Sequence, residues 1–104
     1  MVERYYNEDG EVGILVSHGY GAGWSTWNDE ELSYDKRIIE KWLEKVSADE
    51  MCSYVKSLGY TKPYMGGYEQ LELVFVPRGT LFRIDEYDGA ESLETFDNAG
   101  FIMA

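Results

Sequence analysis

The apolar residues of this chain change rhythm several times, and each rhythm predicts an element. Val12-Gly13-Ile14-Leu15-Val16-Ser17 is a near-continuous aliphatic and β-branched run, the pattern of a strand covered on both faces, and reads as the central strand. From Ser33 onward Tyr34, Ile38, Ile39, Trp42, Leu43 and Val46 recur at spacings of three, four and one, which marks one face of an amphipathic helix about 12 residues long. Lys36, Arg37, Glu40, Lys41, Glu44 and Lys45 fill its other face. The like-charge pairs Glu40/Glu44 and Lys41/Lys45 make that face a solvated one. Asn28 with Glu31 is an alternative cap pair for an earlier first turn.

Ser47 and Glu50 form a capping box. Met51, Tyr54, Val55 and Leu58 then repeat on one side until Gly59 closes a second helix of about 11 residues. Tyr60 to Tyr68, punctuated by Pro63 and Gly66-Gly67, reads as a loop or short irregular strand. Leu71 to Val76 and Leu81 to Ile84, joined by the turn Pro77-Arg78-Gly79-Thr80, predict a β-hairpin that Asp88-Gly89 ends. Ala90 to Phe96 reads as a helical turn or loop, and Phe101-Ile102-Met103 as a last strand. Residues 3–6 make a short edge strand before the turn Asn7-Glu8-Asp9-Gly10. The fold class that follows is α+β: a small antiparallel sheet with a two-helix layer on one face, in a single domain over residues 1–104.

Charge narrows the function classes. Nine Lys and Arg against twenty Asp and Glu give a net charge of −11 over 104 residues, with the acids spread along the chain. That excludes a protein reading phosphates through a basic face, so no direct nucleic-acid partner is expected. Two meanings of the acidity stay open: solubility, or imitation of nucleic-acid phosphates toward a basic partner. Cys52 is the sole cysteine, so no intrachain disulfide can form, and a reducing compartment is expected. The N-terminus has no basic region followed by an apolar stretch, and no window approaches the roughly 18 apolar residues of a membrane span. The expectation is a cytoplasmic protein with no membrane partner.

Candidate chemistry concentrates in His18-Gly19-Tyr20-Gly21-Ala22-Gly23-Trp24-Ser25-Thr26-Trp27-Asn28. The run matches neither common phosphate fingerprint. After Gly19 and Gly21 the dinucleotide pattern requires glycine where Trp24 stands, and the P-loop lysine is missing. The surviving feature is geometric: a strand, a glycine-rich turn, the hydroxyls of Ser25 and Thr26, and a helix N-terminus whose N–H groups favour anions. The candidate ligand-binding residues are Gly19, Tyr20, Gly21, Ala22, Gly23, Trp24, Ser25, Thr26 and Trp27, with Arg78 and Arg83 as the cations an anionic ligand requires. Trp24 or Trp27 would stack on a ring for about 1–3 kcal/mol. The competing reading is a tight packing turn whose tryptophans fill the core.

His18 is the only histidine and has no ligand-spaced companions, so no metal and no cofactor are expected. A strand-end histidine bonded to backbone is the favoured role for it, over that of a general base. Asp85, Glu86 and Asp88 read as solvated acids at a hairpin end, not a catalytic pair. Tyr64 and Tyr68 around Gly66-Gly67 read as a surface turn, with a lid or subunit contact as the alternative.

The stretches Val16 to Asn28, Asp35-Lys36-Arg37-Ile38 and Val76 to Gly89 resemble a group of small uncharacterised bacteriophage proteins sharing a Ser-x-Gly-Tyr-Gly-Ala-Gly-Trp-Ser-Thr-Trp-Asn signature. The resemblance runs from about Val12 to Gly89; where the group often has proline after the serine, this chain has His18. It implies a virus-encoded accessory protein in a bacterial cytoplasm, for which interference with host defence is a common task, and it assigns no catalytic residues.

The leading expectation is a non-enzymatic binder that sequesters a small anionic, nucleotide-like ligand, a host defence signal being one candidate. A homo-oligomer with pockets between subunits would suit stoichiometric capture. One alternative is an acidic inhibitor docking on a basic, nucleic-acid-binding host defence protein. The other is a small hydrolase of nucleotide signals.

Overall fold

The computed structural model of the protein describes residues 2–19, 23–60 and 63–95, together with the backbone of residues 102–103. The central strand β1 (Val12–Ser17) is buried along its whole length, and its side chains alternate between two cores. Val12, Ile14 and Val16 pack with Tyr34, Val76 and Phe82 on one side. Leu15 packs with Trp24, Ile38, Ile39, Met51 and Val55 on the other. Strand β2 (Leu71–Val76) lies antiparallel to β1, from Val76 opposite Val12 to Leu71 opposite Ser17. It divides in the same way, with Leu71 and Leu73 toward one core and Val74 and Val76 toward the other.

The helices α1 (Lys36–Leu43) and α2 (Ala48–Ser57) cover one face of this pair. The other face is covered by a second antiparallel sheet in the order β4-β3-β5, built from β3 (Leu81–Tyr87), β4 (Ala90–Thr95) and β5 (Ile102–Met103). Phe82, Ile84 and Leu93 face inward from it. The α+β class with a two-helix layer is as expected; the second sheet is not.

Three local expectations are corrected. Leu71–Val76 and Leu81–Ile84 are not partners in a hairpin: β2 joins β1, and β3 pairs with β4 from Tyr87 opposite Ala90 to Phe82 opposite Thr95. The physical reason lies in the turn. Asp88 and Gly89 both have positive φ, 50° and 85°, the two-residue connection whose twist matches flanking strands. Second, Ala90–Thr95 is a strand, not a helical turn or loop. Third, α1 has 8 residues because Asp35 is its cap; the Ser33 hydroxyl instead donates to Glu30 O within a single 3-10 turn, Glu30–Ser33. Leu43, the last residue of α1, is 44% exposed and not part of the buried face expected. The capping of α2 by Ser47, which accepts from Glu50 N at 3.2 Å, is as expected. Residues 3–6 contribute one bridge, Tyr6 with Val12, and a bond from Gly13 N to Tyr5 O at 2.8 Å.

Asp35 fixes the entry to α1. Its fully buried carboxylate accepts from Arg37 N at 3.0 Å, from Arg37 Nε at 3.1 Å and Nη2 at 2.8 Å, and from Tyr60 Oη at 2.8 Å. Burial alone would raise its pKa, but the bonds from Arg37 and Tyr60 outweigh that and hold it below the ordinary aspartate value. Burial and the bond to Asp35 in turn push the Tyr60 hydroxyl well above the usual tyrosine range. Because the folded state holds the Asp35 proton less tightly than the unfolded chain, the group stabilises the fold above its unfolded pKa. That contribution is lost as pH falls through the lower, folded value. Denaturant melts across an acid series are expected to show this loss in the wild type and a flatter acid limb in Asp35→Asn, which should also be less stable at pH 7. Parallel acid limbs in the two proteins would contradict the assignment.

Candidate functional site

The glycine-rich run leaves the buried end of β1 and returns at Gly23; Tyr20, Gly21 and Ala22 lie outside the described residues. What it returns to is a carboxylate of the protein itself. Glu91, on the inward side of β4 and only 2% exposed, receives Ser17 N at 2.9 Å on Oε1. Its Oε2 receives Trp24 N at 2.7 Å, Thr26 N at 3.0 Å and Thr26 Oγ1 at 2.6 Å. These peptide donors are therefore satisfied by an internal anion. Charge-assisted bonds of this kind are about twice as strong as neutral ones.

The two tryptophans of the turn part company. Trp24 is fully buried: its Nε1 donates to Leu32 O at 3.0 Å and its ring meets Tyr68 at a centroid distance of 6.1 Å. Trp27, in the one-turn helix Ser25–Trp27, is 41% exposed and touches Tyr64. Gly23 is required here for close approach, since a Cβ would lie 2.6 Å from Thr26 Oγ1 and 2.7 Å from the Trp27 ring. Asn28 is not the N-cap expected but the C-cap of the Ser25–Trp27 turn, its N–H donating to Ser25 O at 3.2 Å; its side-chain amide donates to Trp24 O and Tyr64 O and accepts from Tyr64 N.

A cleft of about 460 Å³ opens beside this turn, lined by Ser25, Thr26, Asn28, Asp29, Glu30, Ser33, Arg83 and Ile84. It gathers three of the sequence candidates: Ser25, Thr26 and Arg83. Arg83 is held by Glu94, which accepts from Nε at 3.3 Å and Nη2 at 3.2 Å. Arg78 is not on the cleft wall; its guanidinium lies 5.8 Å from the Tyr6 ring. Gly19 packs against the Gln70 side chain. His18 is exposed with Nε2 3.5 Å from Glu72 Oε2, a carboxylate partner and not the backbone bond expected. Asp85, Glu86 and Asp88 are exposed, and Glu86 Oε2 accepts from Gly89 N at 2.8 Å.

No protein-family model, curated protein or solved structure matches the chain. Among the described residues, no helix is long and apolar enough to cross a membrane.

Sequence reasoning missed Glu91; it included Asn28 in the glycine-rich run and read Tyr64 as part of a surface turn, but did not bring the two together. For Glu91 a signal existed: in Ala90-Glu91-Ser92-Leu93, glutamate stands two residues from Leu93, hence on the same face of a strand. Replacing it strands three peptide donors and a hydroxyl in the interior. Glu91→Ala is expected to cost roughly 3 kcal/mol or more, and Glu91→Gln less, because one amide oxygen still serves the donors at Oε2. Thermal melts of Glu91→Ala should recover in part with added formate and not with chloride at equal ionic strength. A variant as stable as the wild type would contradict the role.

Proposed function

We propose that the protein captures a small anionic, nucleotide-like ligand in the cleft beside the glycine turn and does not turn it over. The observation that carries this reading is the cleft itself. Its volume falls in the range of roughly 300–1,000 Å³ usual for small-molecule sites, and it combines a guanidinium, Arg83, with hydroxyl, amide and carboxylate groups. Arg83 suits a phosphate or other anion. Asp29 and Glu30 accept from ligand hydroxyl or amino groups, which a nucleotide carries in number.

Capture without turnover is supported by how the interior acid is used. Glu91 accepts from the Thr26 hydroxyl and from three peptide N–H groups, a commitment to holding the turn in shape. The resemblance to bacteriophage proteins makes a nucleotide-derived host defence signal the leading candidate, with a bacterial cytoplasm as the site of action.

Calorimetry with mono-, di- and cyclic nucleotides, and with inorganic phosphate as control, is expected to give stoichiometric binding of at least one nucleotide. Binding should weaken tenfold or more in Arg83→Ala, and ligand released by denaturing the protein should be intact. Absence of binding across the panel, unchanged affinity in Arg83→Ala, or recovery of a cleaved product would each contradict the reading.

A further inference from the structure

Trp27 and Tyr64 come from distant parts of the chain and meet at the surface, with ring centroids 5.4 Å apart and planes inclined by 40°. Both remain substantially in water, 41% and 48% exposed, whereas their neighbours Trp24 and Tyr68 are taken into the core. Their positions are nevertheless fixed. Asn28 clamps the Tyr64 backbone with two bonds, Nδ2 to Tyr64 O at 2.9 Å and Tyr64 N to Oδ1 at 2.6 Å. A Cβ at Gly66 would come within 2.5 Å of the Tyr64 ring, just as one at Gly23 would strike Trp27. Each ring therefore occupies space that only glycine leaves. Exposed Trp and Tyr rings dominate the energy of protein interfaces, and rings already held in place lose little freedom on association.

The charge beside the pair selects its partner. Asp29 and Glu30 follow directly along the chain and are exposed. No lysine or arginine occurs between Arg4 and Lys36, Lys62 stands two residues before Tyr64, Arg83 across the cleft is paired with Glu94, and the whole chain carries −11. A cation is drawn both to the faces of the rings and to neighbouring carboxylates. We propose that the Trp27–Tyr64 pair is a docking face for a basic segment of another protein, whose arginine or lysine side chain lies on the rings with Asp29 and Glu30 beside it. Asp29 and Glu30 also line the cleft, so the docking is tested on the chain without added nucleotide.

The test is a titration of the full chain, followed by the tryptophan indole N–H resonances, with a capped arginine-rich nonapeptide and its citrulline counterpart, which keeps the shape and loses the charge. The arginine peptide should move the Trp27 indole resonance and leave those of Trp24 and Trp42 in place. The citrulline peptide should move none. Affinity should fall roughly tenfold in Trp27→Leu and in Tyr64→Leu, and should weaken with salt. A Trp27 resonance that stays still at saturating arginine peptide would overturn the proposal without recourse to any variant. So would equal binding by the leucine variants, an equal response to citrulline, or a Trp27 response to a single-stranded oligonucleotide in place of the peptide.

Discussion

The carboxylate of Glu91 lies where three parts of the fold meet: the end of β1, the turn after it and the second sheet. Removing a carboxylate from water costs several kcal/mol unless other donors replace the solvent. Here the donors are Ser17 N, Trp24 N, Thr26 N and the Thr26 hydroxyl. One side chain thereby sets the distance between the central strand and the one-turn helix and ties β4 to both. Trp24 is held by its backbone at one end and by its indole bond to Leu32 at the other. The outer groups of the turn, Thr26 and Asn28 on the cleft and Trp27 on the surface, take their places from that anchoring.

A second buried carboxylate works differently. Asp35 meets a guanidinium and a phenol as well as a peptide N–H, and its job is to start α1 and to bring Tyr60 to the helix. Glu91 meets peptide groups and a hydroxyl, with no basic side chain among its hydrogen-bond partners in the described residues. An acidic chain thus uses two of its acids as internal ligands, one organising the helical layer and the other the turn beside the cleft.

Much of this architecture was legible where local rules act alone. The unbroken aliphatic run of β1 reported burial on both faces, and the Ser47/Glu50 signal and Gly59 marked the ends of α2 because capping is a matter of neighbouring residues. The pairing of strands was less legible, since Pro77–Thr80 and Asp88-Gly89 are both turn signals and only the dihedral angles distinguish the hairpin from the crossover between sheets. β4 was hidden for a related reason: its inward position is filled by Glu91, so the alternation that identifies strands is broken by the residue that matters most. The glycine turn was read as a gathering of donors for an anionic ligand, and in the structure the donors of Trp24 and Thr26 meet the protein's own Glu91. That the anion is 67 residues away in the same chain is a long-range fact that no local pattern around Trp24 encodes.

Amide hydrogen exchange, resolved by residue in the wild type and in Glu91→Ala, tests this arrangement most directly. The account predicts that the Ser17, Trp24 and Thr26 amides are protected in the wild type to a degree comparable with Ile14 in β1. In Glu91→Ala, under conditions where Ile14 stays protected, those three amides should lose protection together. Rapid exchange at these three positions in the wild type, or protection that survives removal of the carboxylate, would contradict it.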